Sequence, residues 1–358
     1  MKPFPLNDAE VFRIGANPLV SVIINNYNYG AFLKQAIDSV LEQTYKNVEL
    51  IVVDDGSTDN SKEIIESYGN DIIAIFQRNA GQGAALNTGI TRSQGQIVCL
   101  LDSDDYFRQD KLAKVVAGFQ KHPEWLQISN YCTSVNSEGL SIGSGSHKSL
   151  SQGDVRNFLL KHGKYKSIRS SALAYRREAL QQVLPISTQR NGFADAYLMA
   201  KIPFYGKVGS INEPLTFYRI HGENRHARTS ATNLPYHIRG REVIADYINE
   251  TTVKLGLTER FDIQYDADYR TFNALQMGGV SWVEALQIIW LTLQESLYIG
   301  RSMKETLTRL LWGSICVLFP HEGTAVLSLG LNQYLRSKLL GETKVEINQK
   351  KSVNLKAK

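Results

Sequence analysis

Acidic residues are concentrated in one short stretch, residues 100–107, which reads LLDSDDYF. Asp102 and Asp104 flank Ser103 directly after an apolar run, and Asp105 follows. Hard divalent cations such as Mg²⁺ take oxygen ligands, usually one or two carboxylates together with substrate phosphates. The D-x-D spacing therefore fits a metal ion that bridges the protein to a diphosphate. It fits an aspartate-rich turn before a helix equally well, so the spacing alone leaves both interpretations open.

The acidic stretch follows the last of four apolar runs that have the character of buried strands. These runs are residues 20–24, 48–53, 72–76 and 97–101. Each leads through a polar or Gly-rich loop into apolar residues at helical spacing, as in 31–43. Strand and helix thus alternate four times, which predicts a mostly parallel sheet covered by helices on both faces. Ligands of such sheets bind beyond the carboxyl ends of the strands.

The loops after these strands carry the remaining candidate residues, which are Asn25, Asp55, Arg78, Asn79 and Gly83. Asp55 can accept a hydrogen bond from a pyrimidine N–H. Arg78 and the backbone amides of the 81–83 loop can approach ribose or phosphate. Each residue fits an ordinary turn as well when taken singly, but the predicted topology gathers them along one edge. Asp59 and Asp110 precede two helices and are predicted to cap them.

Composition excludes several classes of protein. The 358 residues are 43% hydrophobic and 21% charged, which supports a substantial core. A net charge of +5 is too mild to indicate nucleic acid and suits an anionic substrate or an anionic membrane surface. The three cysteines are scattered and form no CxxC pair or Cys/His cluster. Neither a disulfide framework nor a zinc site is therefore expected.

The sequence does not predict export or a membrane span. The first residues, MKPFPLNDAEVFRIG, lack the apolar stretch of a signal peptide. The longest apolar run, residues 310–319, falls short of the roughly 20 residues that cross a bilayer. We expect a cytoplasmic protein, either free or peripheral at the inner face of the plasma membrane.

The second half of the chain changes character twice. Residues 136–151 are rich in Gly and Ser and predict a flexible loop. After about residue 228 the pattern is helical, and the basic end KKSVNLKAK is predicted to be disordered. We therefore predict an α/β domain over 1–228 and a helical extension over 229–358 with a disordered basic tail.

Several segments together resemble the family 2 inverting glycosyltransferases of the GT-A fold. They are, in order, VSVIINNYN, QAIDSVLEQTYKNVELIVVDDGSTD, NAGQGAALNTGI and LLDSDDYF, followed by SSALAYRREAL, ADAYL and LTFYRIHGEN. The resemblance implies an α/β fold with a Rossmann-like, mostly parallel sheet. It also implies transfer of one sugar from a nucleotide diphosphate sugar, with UDP-sugar favoured, to a hydroxyl of a glycan or lipid-linked acceptor. Family habit places such an activity in cell-surface polysaccharide synthesis.

The resemblance assigns roles to residues of the nucleotide half. Asp55 matches the aspartate that binds the base, and Asn25 lies where the first loop touches the nucleotide. Asp102 and Asp104 match the D-x-D that holds Mg²⁺ or Mn²⁺. Asp104 is the better candidate for direct metal contact, and Asp102 lies nearer the ribose or the metal.

Two further residues are assigned in the acceptor half. His221 matches the place where some relatives add a histidine to the metal, although a solvated loop histidine is the alternative. Asp195 is the candidate general base that accepts the proton of the acceptor hydroxyl, although a surface aspartate that caps a helix is the alternative. The family commonly carries Glu-Asp at this point, and Ala194 replaces the first acid here. The substitution puts acceptor recognition in doubt.

Rival interpretations remain open. A catalytically inactive protein that binds a nucleotide sugar as a regulator or scaffold is favoured only by Ala194. A nucleotidyltransferase would carry a basic loop after the first strand, and NNYNYG has no basic residue. The Q-x-x-R-W motif of processive relatives is missing, which predicts a non-processive enzyme. The helical extension either packs on the catalytic domain, forms a homodimer or lies in a membrane interface.

Overall fold

The computed structural model describes residues 14–144, 150–168, 170–189, 193–222, 224 and 233–340. The chain divides into two units. The first comprises Met1–Leu159, Lys164–Ile220 and Tyr247–Glu259, and the second comprises Leu160–Gly163, His221–Asp246 and Arg260–Lys358. The predicted boundary at residue 228 and the predicted disordered tail lie outside the described residues.

The described strands form a single sheet in the first unit. They are β1 Val20–Asn26, β2 Val48–Asp54, β3 Ile73–Phe76, β4 Ile97–Asp102, β5 Tyr106–Phe107, β6 Trp125–Val135, β7 Ser141–Ser144, β8 Leu173–Arg176 and β9 Lys207–Arg219. Their order is β3-β2-β1-β4-β8-β6-β9-β5, and β7 pairs with β6 beside this path.

The helices of the described residues follow the predicted alternation in the first half of the chain. They are α1 Gly30–Leu41, α2 Ser61–Glu66, α3 Gln82–Arg92, α4 Lys111–Lys121, α5 Arg156–His162, α6 Arg177–Val183, α7 Ala194–Lys201, α8 Leu234–Lys254, α9 Ala267–Gln276, α10 Trp282–Tyr298, α11 Met303–Leu318, α12 Pro320–Leu329 and α13 Leu331–Leu340.

The first four strands in chain order, β1 to β4, form the parallel part of the sheet, as predicted. β1 pairs in parallel with β2 and β4, and β2 pairs in parallel with β3. Both faces of β1, β2 and β4 are buried because helices cover both. Val22 and Ile24 belong to the core cluster that includes α1 and α4. Ile23 faces α3, and an added Cβ at Gly89 would lie 2.5 Å from its side chain. The α/β fold with a Rossmann-like parallel region is therefore confirmed.

The rest of the sheet is mixed. β8 is antiparallel to both β4 and β6, whereas β6 and β9 run parallel. β5 joins the far edge by pairing antiparallel with β9. The sequence did not predict β6, whose residues Gln127, Ser129 and Asn130 are polar yet buried. Part of the expected loop 136–151 is also wrong, because β7 extends the sheet; residues 145–149 lie outside the described residues.

The two predicted helix caps have different outcomes. Asp59 Oδ1 accepts a hydrogen bond from Ser61 N at 3.0 Å, so this side chain does satisfy a donor at the start of α2. Asp110 stands at the cap position of α4 but makes no capping hydrogen bond. Its carboxylate instead accepts from Arg108 Nη2 at 2.8 Å, because the guanidinium is the stronger partner.

Helices make up the second unit over its described residues. α10 and α11 pack along each other and on α9. Ser281 accepts from Glu284 N at the start of α10, and Ser302 and Glu305 form a capping box at the start of α11. Among the described residues, no helix combines the length and the apolar character needed to cross a membrane.

Candidate active site

The carboxyl ends of β1, β2 and β4 bring the candidate residues to one edge of the sheet. In the strand register Asn25 stands beside Asp102, and Asn26 stands beside Asp54. Asn26 Nδ2 donates to Asp54 Oδ2 at 2.8 Å, which ties the first two loops together. Asn25 Oδ1 is buried and has no hydrogen-bond partner among the described atoms. An unsatisfied buried acceptor next to Asp102 is a feature that a ligand donor or an ion can relieve.

Asp102 interacts electrostatically with two other carboxylates of the site, Asp104 and Asp195. Burial, followed by the charges of Asp104 and Asp195, raises the pKa of Asp102 to about 7. Gln82 Nε2, from the first turn of α3, donates to Asp102 Oδ1 at 3.1 Å and opposes this shift. The sequence did not single out Gln82, because a glutamine next to glycine in a loop carries no specific signal.

Asp105 is buried beneath the D-x-D rather than exposed with it. Burial raises the pKa of Asp105 well above its ordinary value, and the charges of Asp104 and Asp102 add to the shift. Arg219 at the end of β9 is also buried; its backbone N–H donates to Asp105 Oδ1 at 2.9 Å. The Arg219 Nε donates to the backbone carbonyl of Asp104 at 2.9 Å. Arg219 thus fixes the backbone of the acidic loop from a strand more than a hundred residues away.

Lys111 is the second buried cation near this loop. Its side chain is 0% exposed, and Nζ donates to the Ser171 carbonyl at 2.6 Å and to Thr216 Oγ1 at 3.0 Å. The ammonium also lies 3.6 Å from the ring centre of Phe107. Burial lowers the pKa of Lys111 to about 8 despite the opposing charge of Asp105. The sequence analysis missed both cations.

A signal for the burial of Lys111 was present in the sequence. Lys111 lies four residues before Val115, so the two share one face of α4. That face is buried, since Val115 belongs to the core cluster. The sequence carried no comparable signal for the burial of Arg219, because its segment LTFYRIHGEN has no pattern that separates a buried arginine from an exposed one.

Asp55 is buried and occupied by the loop that follows β3. Its carboxylate accepts hydrogen bonds from Gln77 Nε2 at 2.7 Å, Ala80 N at 3.0 Å and Gly81 N at 2.7 Å. These bonds hold the 77–81 loop in place. The structure therefore gives Asp55 a positioning role, and its contact with a base stays a prediction.

The loop held by Asp55 presents polar groups outward. Arg78 and Asn79 are both exposed. Gly56 has a φ of +79°, and an added Cβ there would lie 2.8 Å from Asn79 N, so the turn after β2 approaches this loop at backbone distance. Gly81 caps α3 with a φ of +89°. Gly83 is buried in the first turn of α3. A nucleotide could contact Gly83 only through its backbone, and this contact stays a prediction.

Asp195 lies in the first turn of α7, and its Oδ1 accepts a hydrogen bond from Ala196 N at 2.7 Å. Its charge raises the pKa of Asp102, which places the two carboxylates within electrostatic range. Ala194 is 3% exposed, and an added Cβ on Gly83 would lie 3.9 Å from its Cβ. An acidic side chain at position 194 would begin in this buried environment.

The predicted metal ligands divide between the two units. Asp102 and Asp104 belong to the first unit, and His221 belongs to the second. The role of His221 stays a prediction. Within the described residues, no group of three or more His, Cys, Asp or Glu side chains is arranged to hold a metal ion. A site of two carboxylates completed by substrate phosphates needs no such group.

Comparison with known proteins places the chain in a family. A family model described as Glycosyl transferase family 2 matches residues 21–184. An uncharacterized glycosyltransferase of Nostoc sp. is 34% identical over 306 residues, which cover 82% of this chain and 94% of that protein. The glycosyltransferase GlyA of Streptococcus pneumoniae is 38% identical over 124 residues, 34% of this chain and 18% of that protein.

A solved structure has a similar fold. Residues 1–349 of TarS from S. aureus match with a TM-score of 0.52 and 15% identity, covering 91% of this chain and 93% of that chain. The similarity of the Nostoc protein extends over most of both sequences, well beyond the acidic stretch and its neighbouring loops. The chain therefore belongs to glycosyltransferase family 2, and it is a glycosyltransferase of the GT-A fold.

Proposed function

We propose that the chain is a metal-dependent, inverting glycosyltransferase that moves one sugar from a nucleotide diphosphate sugar to a hydroxyl. One observation carries the proposal. Burial raises the pKa of Asp102, and the charges of Asp104 and Asp195 add to the shift, so the proposed metal ligands and the proposed base share one electrostatic environment. Perturbed carboxylates at the carboxyl edge of an α/β sheet are typical of catalytic sites.

The residues of the acidic loop fit Mg²⁺ or Mn²⁺. Asp102 and Asp104 supply oxygen ligands, which hard cations prefer. Burial first, and then the charges of Asp104 and Asp195, raise the pKa of Asp102, and a bound cation would oppose this shift by favouring the ionised carboxylate. His221 is proposed as an additional ligand. When bound, such an ion supplies Lewis-acid stabilisation of the charge that grows on the leaving diphosphate.

Asp195 is the proposed general base. Its carboxylate accepts the proton of the acceptor hydroxyl while that oxygen attacks the anomeric carbon from the side opposite the diphosphate. The attack inverts the configuration, and no covalent intermediate with the protein is formed. A positioned base contributes roughly 10²–10⁴-fold in rate.

The nucleotide is proposed to bind along the loops after β1, β2 and β3. Asp55 holds the 77–81 loop, and the exposed side chains of Arg78 and Asn79 face solvent, where ribose and phosphate can reach them. Ser103, between the two proposed metal ligands, is 2% exposed, so its proposed contact is through its backbone. Asn25 offers its buried, unsatisfied oxygen to a donor on the nucleotide.

A UDP-sugar is the proposed donor. TarS from S. aureus has been solved in complex with UDP-GlcNAc, and that structure matches this chain with a TM-score of 0.52 at 16% identity. The likeness supports a fold that can accommodate such a donor, and the family resemblance supports the choice of UDP. Four further features are proposed from family habit. They are a glycan or lipid-linked acceptor, non-processive transfer of a hexose, a cytoplasmic location and a role in cell-surface polysaccharide synthesis.

Calorimetric titration with UDP-, GDP- and dTDP-sugars, with and without Mn²⁺, tests the donor site. We expect one nucleotide class to bind only with metal, and Asp104→Ala to abolish that binding. Asp71→Ala is the matched control, because Asp71 is exposed and precedes β3 at the opposite edge of the sheet. Binding that is indifferent to metal and to Asp104→Ala would refute the metal assignment. Donor binding without turnover would favour the inactive, regulatory alternative.

A further inference from the structure

The guanidinium of Arg219, at the end of β9, connects the acidic loop to two other parts of the first unit. Its Nε donates to the Asp104 carbonyl at 2.9 Å. Its Nη1 donates to the carbonyl of Ser137, in the turn between β6 and β7, at 2.7 Å. Its Nη2 donates to Gln35 Oε1 on α1. The acidic loop is therefore tied through one side chain to a helix and to a hairpin turn.

Burial and two aromatic rings hold the guanidinium in this orientation. Arg219 is 2% exposed. Its Cζ lies 4.8 Å from the ring centre of Phe32 and 5.4 Å from that of Tyr106. The donors of an arginine form a planar, rigid fork, which stacks well on aromatic rings. A fork that is packed and hydrogen-bonded in this way is a rigid support for the peptide that it contacts.

The residues that follow Asp104 are fixed to the same two places. Asp105 Oδ1 accepts from the backbone N–H of Arg219 on β9 at 2.9 Å. Tyr106 Oη donates to the Gly139 carbonyl, in the turn between β6 and β7, at 3.2 Å. The backbone of Asp104 is thus held at its own carbonyl and at the next two residues. The direction of the Asp104 side chain follows from this fixed backbone.

We propose that Arg219 is a positioning residue for the metal ion. By fixing the peptide of Asp104, it sets the affinity with which the D-x-D holds Mg²⁺ or Mn²⁺. This role rests on the proposed function and extends it to a residue that acts through Asp104. Groups that hold metal ligands in place contribute roughly 10–100-fold to metal affinity.

Calorimetric titration with Mn²⁺ tests this role of Arg219. The full-length protein is saturated with UDP, and with GDP and dTDP in parallel samples, before Mn²⁺ is added. Arg219→Lys keeps the positive charge and loses the fork. We expect this variant to bind Mn²⁺ roughly 10–100-fold more weakly than the unmodified chain.

Arg176→Lys is the matched control. Arg176 is also buried, and its guanidinium donates to the carbonyls of Trp125 at 2.7 Å and Phe119 at 2.8 Å. It pairs with Ile97, the first residue of β4, at the opposite end of that strand from the acidic loop. Arg176→Lys should therefore lose stability as Arg219→Lys does, yet bind Mn²⁺ like the unmodified chain. Equal weakening of Mn²⁺ binding by both variants would show a merely structural role and overturn the proposal.

Gln35→Ala keeps the proposal testable if Arg219→Lys does not fold. Gln35 is exposed on α1, so alanine preserves the helix and removes one acceptor of the fork. We expect Mn²⁺ binding to weaken about threefold. Lys34→Ala, at the neighbouring exposed position, should leave Mn²⁺ binding unchanged. Equal Mn²⁺ affinities of these two variants would overturn the positioning role.

The same titration separates this role from the proposed function. If the unmodified chain binds no Mn²⁺ with any of the three nucleotides, the proposed function is overturned and the positioning role with it. If the unmodified chain binds Mn²⁺ and Arg219→Lys binds it equally well, only the positioning role is overturned.

Discussion

Lys111 lies near the acidic loop and is not exposed to solvent. Its burial should make the free energy of unfolding depend on pH. The pKa of Lys111 is lowered to about 8 from an ordinary 10.5, chiefly by burial. Between these pH values the unfolded chain holds a proton that the folded chain has lost. The free energy of unfolding therefore rises with pH across that window, and the full cost of the buried charge is present below pH 8.

Lys111→Met should remove this dependence. We compare a pH just below the pKa of Lys111 in the folded chain with a pH about 1.5 units above it. Between these two pH values, the free energy of unfolding of the unmodified chain should rise by about 2 kcal/mol relative to that of the variant. Urea unfolding at the two pH values, on metal-free protein, measures the difference. A constant difference would show that Lys111 titrates normally.

Individual side chains also show where sequence reasoning ends. Asp102 and Asp104 could be placed at a strand end because the apolar run and the acids are adjacent in the sequence. Arg219 could not be placed with them, because its bond to Asp105 joins residues 114 positions apart. The packed environment of Ala194 likewise depends on a distant partner, Gly83.

The turn after β2 offers a test of how closely two loops of the site approach. Gly56→Ala should destabilise the chain by about 1–3 kcal/mol, because Gly56 has a positive φ and its added Cβ would press on Asn79 N. Gly83→Ala is the comparison, because its added Cβ makes only ordinary contacts at 3.5 Å and alanine is the better helix former. Melting temperatures should therefore fall for Gly56→Ala and stay level or rise for Gly83→Ala. Equal losses would contradict the described turn.

The helices of the second unit are joined by a buried ion network. Glu295 is 0% exposed and accepts from Arg301 at 2.9 Å, Arg309 at 3.3 Å and Ala267 N at 3.2 Å. Removing one member of such a network leaves buried charge uncompensated.

Glu295→Gln should therefore destabilise the chain by about 3–5 kcal/mol in chemical denaturation. Glu322→Gln is the matched change at an exposed pair, with Lys338, and should leave stability unchanged. If both variants melt alike, the Glu295 network contributes nothing net to stability.

Elements were predictable where their signal is local. The four strand–helix pairs of the first 121 residues carry continuous apolar runs and helical spacing, and the structure confirms them. β6 was missed because the polar residues Gln127, Ser129 and Asn130 interrupt its apolar pattern, and they are buried through pairing with β8 and β9. That pairing joins segments about 45 to 85 residues apart, which no local pattern encodes.

The whole molecule combines a family 2 glycosyltransferase unit with a second unit of helices. The family could be recognised from the sequence because its motifs lie in loops that follow predictable strands. Donor, acceptor and metal could not be fixed in the same way, since each depends on the shape of a site assembled from several loops. The division of roles among the carboxylates is therefore the central claim to test.

The most direct test is the turnover of a bound nucleotide sugar with water as acceptor, followed by the anomer of the first sugar released. Asp195→Asn should bind donor as the unmodified chain does and turn it over roughly 10²–10⁴-fold more slowly, because only the base is lost. The unmodified chain should release sugar of inverted configuration. Turnover by Asp195→Asn at the unmodified rate, or release with retained configuration, would contradict the account.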